Sequence, residues 1–458
     1  MAEHAVDVVV IGMGPGGEEV AGRLAEAGLS VVGVERELVG GECPYWGCVP
    51  SKMMIRGSTL LTEARRADPY AGRTTVEPDL GPVARRIRAE ATDTWDDTVA
   101  VDRFTGKGGT MVRGSARLDG PGRVVVGEDV YVASRAVVVA TGSAPVVPPI
   151  QGLRDTMYWT NREAISAEHT PTSLVVLGGG AIGVELAQMF ARYGATVTVV
   201  EAMDGLLPPE EPAAGEVVQK ALEADGATVR VGAKAVHVAR EGGDGDVVVR
   251  LEDGTEVRGA EILVSVGRRA RVGEIGLETV GLDPQARALE VDERMRAGER
   301  LWAVGDVTGV GMFTHMAMYQ AGIAIADILG RDGPPADYRG LARVTFTDPE
   351  VGSVGLTERA AREQGLTVRT GTSQVASSAR GWIHGPGNAG FITLVEDADQ
   401  GVLVGATSVG PWGGEVLSML TLAVHARVPV ATLRTMVYAY PTFHRGVLDA
   451  LTDLAAGE

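Results

Sequence analysis

The feature that most constrains this 458-residue chain is a structural unit that occurs twice. In the first copy an apolar run, Asp7 to Ile11, leads into Gly12-Met-Gly-Pro-Gly-Gly17. Helical spacing follows from Glu18 to Ala27, Gly28 ends it, and a second apolar run, Leu29 to Val34, closes on Glu35. In the second copy Ser173 to Leu177 leads into Gly178-Gly-Gly-Ala-Ile-Gly183. Val184 to Tyr193 has helical spacing, Gly194 stops it, and Thr196 to Val200 closes on Glu201. First glycine and closing carboxylate are 23 residues apart in both copies. A lone G-x-G-x-x-G means little in a chain with 63 glycines. Here each follows a strand pattern, opens a helix and ends on an acidic residue, which gives every glycine a separate task. The first makes a tight turn, the second lets a pyrophosphate approach the backbone, and the third lets helix and strand pack closely. The helix N-terminus then faces the phosphate charge. Two packing turns without ligands are the alternative.

Two copies predict two nucleotide-binding domains of parallel α/β type. Glu35 and Glu201 are placed to accept hydrogen bonds from ribose hydroxyls. Glu201 also discriminates: a carboxylate repels a 2′-phosphate, and Ala202 and Met203 supply no cation. NADH over NADPH is therefore expected. The length allows two or three domains. Further on, Ala91 to Ala136 mixes helical and short strand patterns. Ala136-Val-Val-Val-Ala140 enters Thr141-Gly-Ser-Ala-Pro145, and Pro148 and Pro149 mark an inter-domain crossing. Glu261 to Gly267 repeats that strand-and-turn plan. From about Gly340, Thr-, Val- and Gly-rich strands alternate with two expected helices, 356–364 and 413–426, which suggests an antiparallel-sheet domain.

The chain carries a formal charge of −18, so a basic face for nucleic acid is not expected. Nor is a membrane span, because uncharged apolar runs of about 18 residues are missing. The start, Met1-Ala-Glu-His-Ala, lacks a basic n-region, so a cytoplasmic location is the default expectation. The two cysteines, Cys43 and Cys48, exclude a disulfide scaffold. With no histidine close by in sequence they do not make a structural zinc site, and no metal is expected. Lysine is scarce: only Lys52, Lys107, Lys220 and Lys234 occur.

The segment Gly40-Gly-Glu-Cys-Pro-Tyr-Trp-Gly-Cys-Val-Pro-Ser-Lys52 puts two thiols five residues apart at the start of a helix. That is close enough for a disulfide, and a helix N-terminus favours a thiolate. Two inert buried thiols are the alternative. The segment resembles the active-site element of the pyridine nucleotide–disulfide oxidoreductases, which include dihydrolipoamide dehydrogenase, glutathione reductase and mercuric reductase. Nearly the whole chain shares the resemblance. It extends through Ala140-Thr-Gly-Ser143, Gly267-Arg-Arg269, Trp302-Ala-Val-Gly-Asp306, Met312 to Ala317, Thr345-Phe-Thr-Asp-Pro-Glu350 and Val354-Gly-Leu-Thr357.

The resemblance implies an α/β fold with two Rossmann-like FAD and NAD domains plus a C-terminal α+β dimerisation domain. It assigns residues 1–148 and 271–338 to FAD, 149–270 to NAD and 339–458 to the interface. FAD would be held by Gly12, Gly14, Pro15, Gly17, Glu35 and Arg36, by Gly41, Glu42 and Ala116, and by Thr141, Gly142 and Ser143. Gly267, Arg269, Gly305 and Asp306 would add to that site, with Asp306 on the ribityl chain, and Met312 and Ala317 would pass beside the flavin. NAD(H) would be held by Gly178, Gly180, Ala181, Ile182, Gly183 and Glu201. Cys48 would be the charge-transfer thiolate against the flavin and Cys43 the outer, interchange thiol. Lys52 would lie near flavin N5, paired with Glu185; a solvated surface pair is the alternative. A homodimer is implied, since the C-terminal domain of one subunit completes the active site of the other.

One element departs from that pattern. Dithiol-using members carry His-x-His-Pro-Thr-x-x-Glu, in which the second histidine is the base for thiol exchange. This chain has Tyr438-Ala-Tyr-Pro-Thr-Phe-His-Arg445. Tyrosine titrates near 10, so Tyr440 is a poor base at neutral pH, and a missing base costs about 10²–10⁴ in rate. Lipoamide and glutathione are therefore not the expected acceptors. Tyrosine there resembles mercuric reductases, but those carry a further cysteine pair. His444 lies four residues after Tyr440; on a helix the two would share a face. It is then either a displaced base or, the reading favoured here, a surface or interface residue. Pro44, Tyr45 and Trp46 are bulkier than usual in the family, either lining the acceptor's access or packing. The expected function is transfer of hydride from NADH to FAD and on to Cys43–Cys48, acting on a small acceptor. The alternatives are an NADH:quinone-type diaphorase in which reduced FAD bypasses the cysteines, and a non-enzymatic redox-responsive dimer.

Overall fold

The computed structural model describes residues 2–242 and 245–456. Its contacts divide the chain into two units. The first comprises Met1–Ser51, Arg85–Val146 and Arg268–Asp337. Its centre is a parallel sheet in the order Leu301–Ala303, Asp129–Val139, Ala2–Ile11, Val31–Glu35, Thr110–Arg113. Ile11 pairs with both Val34 and Val139, so the first glycine loop leaves the middle strand between two parallel neighbours. Val8, Val9 and Val10 are fully buried, as expected of a strand covered on both faces. That strand begins at Ala2, five residues before the apolar run, because pairing with 129–133 extends it. The helix after the loop, Pro15–Glu26, starts earlier than its apolar spacing, with Pro15 in the first turn where a missing N–H costs nothing.

The second unit comprises Lys52–Ala84, Val147–Gly267 and Tyr338–Glu458. It holds a four-stranded parallel sheet ordered Thr228–Arg230, Thr196–Val200, Ser173–Leu177, Glu261–Val264. The second glycine loop leaves the strand Ser173–Leu177, and the helix Ala181–Arg192 follows. Beside it lie a three-stranded antiparallel sheet and a five-stranded antiparallel sheet, the latter ordered Ala342–Thr345, Glu350–Gly355, Val402–Gly410, Phe391–Asp397, Val368–Gln374.

This C-terminal region is richer in helix than its sequence pattern suggested. Besides Glu358–Glu363 and Gly413–His425, it contains Ala379–His384, Val430–Arg434 and Gly446–Ala456. The last is amphipathic: Val447, Ala450, Leu451 and Leu454 are buried at helical spacing in the core that also holds Ile392 and Leu394. Among the described residues, no helix is long and apolar enough to cross a membrane.

Candidate active site

The two glycine loops are built alike in atomic detail. A Cβ on Gly12 would meet Ala140 O at 2.5 Å, and one on Gly178 would meet Ser265 O at 2.5 Å. A Cβ on Gly17 or on Gly183 would lie 2.0 Å from the carbonyl oxygen of the loop's first glycine. Gly14 and Gly180, by contrast, would have nothing within 4 Å of an added Cβ. First and third glycines are thus demanded by packing, while the middle one faces open space, which suits close approach of a phosphate. The closing carboxylates match too. Met13 N and Glu37 N donate to the two oxygens of Glu35, each at 2.8 Å. Gly179 N and Met203 N donate to those of Glu201, at 2.6 and 2.7 Å. Each carboxylate is therefore fixed beside its loop, with lone pairs left for hydroxyl donors. Pro15 opens the first helix, and Ala181 and Ile182 the second, behind those phosphate-facing turns. These cradles fit a dinucleotide each.

Around the first cradle, Gly41 packs against it: a Cβ there would lie 2.9 Å from Gly14 Cα. Ser143 Oγ donates to Asp306 Oδ2 at 2.6 Å and accepts from Arg268 Nε at 2.8 Å. Burial raises the Asp306 carboxyl above its usual range, against the lowering effect of Ser143 and Arg268. Arg268 also lies 3.6 Å from Glu42. Of the two arginines after Gly267, it is thus Arg268 that reaches this cluster. Arg269 is exposed, because successive residues of the strand Arg268–Ala270 face opposite ways. Thr141 Oγ1 donates to Arg271 O at 2.7 Å, and Gly142 O accepts from Arg271 N, which ties this strand end to the neighbouring one. Arg36 is exposed beside Glu37. Ala116 is buried in the core of the parallel sheet. Met312 is half-buried; Ala317 and Gly305 meet where the helix Thr314–Ile328 crosses Pro15–Glu26, with Ala317 Cβ 3.1 Å from a Cβ placed on Gly16.

Cys43 sits in a one-turn helix, Glu42–Tyr45, and Cys48 opens the helix Cys48–Arg66. Gly47 lets the chain turn back between them: a Cβ there would lie 3.0 Å from Glu42 O. Both cysteines are present as thiols, Cys43 half-buried and Cys48 exposed. Cys48 Sγ lies 3.3 Å from Thr314 Oγ1. The Cys43 thiol is pushed up, first by its hydrogen bond to Cys48 and then by burial, while a hydrogen bond to Thr314 opposes the shift. Thr314 thus contacts both sulfurs, yet only its neighbours stood out in the sequence. Tyr45 is a packing residue: it is buried, its hydroxyl donates to Asp96 O at 3.4 Å, and burial raises its phenol to about 12. Trp46 packs on it with ring centroids 5.8 Å apart.

One turn along the same helix, Lys52 Nζ donates to Glu185 Oε2 at 2.8 Å. The Glu185 side chain is only 6 % exposed and that of Lys52 34 %. The other oxygen of Glu185 accepts from Phe346 N at 2.7 Å, and Lys52 Nζ lies 4.7 Å from the centre of the Phe346 ring. A buried carboxylate is thereby satisfied by an ammonium and a backbone donor, with an aromatic face covering the cation. The pair is not a solvated surface pair.

The segment 438–445 is not helical; its helix starts only at Gly446. Tyr440 and His444 therefore do not share a helix face. Tyr440 is 71 % exposed, and Arg445 lies over its ring at 5.8 Å. His444 turns instead toward Thr442 Oγ1, 3.4 Å away, and the buried Tyr438 ring. Among the described residues, no group of three His, Cys, Asp or Glu side chains could hold a metal.

Residues 6–321 match the pyridine nucleotide-disulphide oxidoreductase family, and residues 341–451 match its dimerisation domain. The chain belongs to the pyridine nucleotide–disulfide oxidoreductases. Its similarity to dihydrolipoyl dehydrogenase of Chlorobaculum tepidum is 34 % identity, covering 98 % of this chain and 96 % of the relative. Mercuric reductase of Shigella flexneri is 33 % identical over 97 % of this chain and 80 % of the relative. Among solved structures, the HOCl-induced flavoprotein disulfide reductase RclA of Escherichia coli superimposes with a TM-score of 0.86 at 24 % identity, covering 98 % of this chain and 99 % of that one. The oxidoreductase is thus an enzyme of FAD and NAD(H), with a mixed α/β architecture and a C-terminal dimerisation domain.

Proposed function

We propose that this oxidoreductase takes a hydride from NADH and uses Cys43 and Cys48 to reduce a small acceptor other than lipoamide, a low-molecular-weight disulfide being the simplest. The balanced reaction is NADH + H⁺ + RSSR → NAD⁺ + 2 RSH. The observation that carries the proposal is the combination of an intact thiol pair on Thr314 with Tyr440 and Arg445 where dithiol-using relatives have histidine and glutamate. Bound FAD supplies the relay between the two-electron donor and the thiols.

The chain's own residues divide the work. Residues 1–148 with 271–338 form the FAD domain, 149–270 the NAD domain and 339–458 the interface of a homodimer. Glu35 and Glu201 orient the two riboses, and Glu201 sets the preference for NADH. Ser143, Asp306 and Arg268 hold the polar chain between flavin ring and phosphates. Lys52, anchored by Glu185, presents a cation to the flavin side of the site. Cys48 is the thiol that exchanges electrons with the cofactor, and Cys43 attacks the acceptor. Tyr440 offers a hydroxyl donor but no base, so the Cys43 thiol gives its proton to water, and water protonates the leaving thiolate.

A second reading is favoured by one observation: the raised Cys43 thiol is a weak nucleophile at neutral pH. In that reading quinones are reduced without the cysteines. Anaerobic reductive titration separates the two. The thiol route requires the oxidised holoenzyme to take up about two NADH per protomer, and the Cys48→Ala variant about one. It also requires disulfide reduction to vanish in Cys43→Ser. Full disulfide turnover in Cys43→Ser would refute it, and quinone turnover unchanged in Cys48→Ala would establish the bypass.

A further inference from the structure

We propose that Arg380 and Arg445 form a binding site for small carboxylate- or phosphate-bearing anions, through which the enzyme takes a negatively charged electron acceptor. The acceptor role rests on the function proposed above; the anion site itself does not.

Both arginines line one pocket, with Ser378, Tyr440, Thr442 and Asp449 around them. Each guanidinium is held by aromatic planes. Arg380 Cζ lies 5.1 Å from the Phe443 ring centre and 6.0 Å from that of Trp412. Arg445 Cζ lies 5.8 Å from the ring centre of Tyr440. An aromatic face engages the flat side of a guanidinium and leaves its N–H edge for a planar anion, which it can bind with two parallel hydrogen bonds.

Neither arginine is held in an ion pair. Among the described residues neither Arg380 nor Arg445 has a carboxylate within ion-pair distance. Asp449 shares the pocket, so the local balance is two cations against one carboxylate. Such an excess is out of character for a chain of net charge −18. Other well-covered arginines sit on carboxylates: Arg66 and Arg192 on Asp348, each at 2.8 Å, and Arg343 on Glu210 at 2.7 Å. The helix Gly446–Ala456 begins at the pocket and adds its N-terminal partial charge.

Two further observations fit. Trp412 holds a left-handed backbone, φ +56°, which is costly for a bulky residue and persists where the surroundings enforce it. In that conformation it closes the cage around Arg380 and His384, whose ring lies 5.7 Å from both Trp412 and Phe443. His384 is held below its usual range, by burial first and by Arg380 and Arg66 next, against the opposing carboxylates of Asp348 and Glu63.

The test has a binding arm and a kinetic arm, both on the FAD-loaded enzyme. In the first, isothermal titration with inorganic phosphate and with succinate at low ionic strength should show binding. It should weaken about tenfold in Arg380→Gln and in Arg445→Gln, weaken less in Arg380→Lys, and fade as salt rises. In the second, turnover is compared for two aromatic disulfides, the dianionic 5,5′-dithiobis(2-nitrobenzoate) and the neutral 2,2′-dithiodipyridine. The ratio of their kcat/KM values should fall about tenfold in either Gln variant, through KM of the dianion. Absence of phosphate and succinate binding to the wild type, or Gln variants that leave both anion affinity and the kcat/KM ratio intact, would overturn the proposal. So would Gln variants that lose binding only because the protein dissociates in sedimentation, since the arginines would then belong to a contact between subunits. If neither disulfide is turned over but phosphate binding follows the arginines, the anion site stands and the acceptor assignment falls.

Discussion

Lys52 and Glu185 are joined by a 2.8 Å hydrogen bond, although they lie in different helices, and the buried member of the pair is the acid. The asymmetry decides what each substitution does. Lys52→Met strands a buried carboxylate with only Phe346 N for a partner and should destabilise the protein by about 1–3 kcal/mol, below the usual cost of breaking a buried pair because Lys52 is partly solvated. Glu185→Gln keeps an acceptor for Phe346 N, and Lys52 can turn to water, so it should cost less. Urea unfolding of the two variants checks the order. Equal costs would mean that the carboxylate is not the vulnerable partner.

Glu201 already holds two backbone donors, Gly179 N and Met203 N, and cannot turn away from an incoming ribose. A 2′-phosphate about 6 Å from this carboxylate would be repelled by about 2–3 kcal/mol per unit of charge at an effective dielectric constant of about 20. NADH should therefore exceed NADPH in kcat/KM by at least about thirtyfold. Steady-state kinetics with both nucleotides at saturating acceptor measures this. Comparable efficiencies would remove Glu201 as the discriminating residue.

Cys43 and Cys48 titrate as a pair. The raised Cys43 thiol stays protonated through neutral pH, so the second thiolate of the reduced enzyme should form only above about pH 9. The Thr314 hydroxyl opposes that rise. Thr314→Val should therefore move the thiolate absorbance of the pair to higher pH by about half a unit to one unit, the equivalent of one modest hydrogen bond. A shift to lower pH would show that Thr314 does not act as a donor to sulfur.

His384 gives a prediction about stability and pH. Its folded value is depressed, so it contributes stability that is fully present above about pH 6.5 and is lost as pH falls through the lower folded value. An NMR titration should place His384 below an unstructured histidine, and Arg380→Gln should bring it back part of the way. An unshifted His384 would mean that the cage around it is open to water.

Rebuilding the missing dyad tests the step at the acceptor. Tyr440→His with Arg445→Glu restores a base and its orienting carboxylate at the positions where dithiol-using relatives have them. Dihydrolipoamide turnover should rise by about tenfold or more, less than the full 10²–10⁴ of an evolved base. His444→Ala should leave it unchanged, since His444 faces Thr442 and Tyr438.

The two glycine corners could be read directly from the residues because their logic is local. Gly12, Gly14 and Gly17 lie within six residues and meet the same strand–helix corner, so their spacing alone encodes the turn, as it does for Gly178, Gly180 and Gly183. The helix Gly446–Ala456 is encoded in its own apolar spacing, with Val447, Ala450, Leu451 and Leu454 on one face. Residues 440–445 were open to a helical reading because spacing of four is compatible with a helix and does not require one. The motif Gly267-Arg-Arg269 names a segment, whereas strand alternation turns Arg268 toward Ser143 and leaves Arg269 exposed.

By itself, the sequence determined the two glycine corners, the carboxylates that close them, the spacing of the two thiols, and the Tyr440 and Arg445 that stand where the resembled motif has histidine and glutamate. Each depends on residue type at short spacing, where chain geometry leaves few alternatives. Only the tertiary structure decided that Thr314 reaches both sulfurs, that Phe346 shares Glu185 with Lys52, and that Arg380 and Arg445 meet in one pocket without carboxylate partners. Those contacts join segments far apart in the chain, and their energies come from burial and charge balance, which no local pattern records.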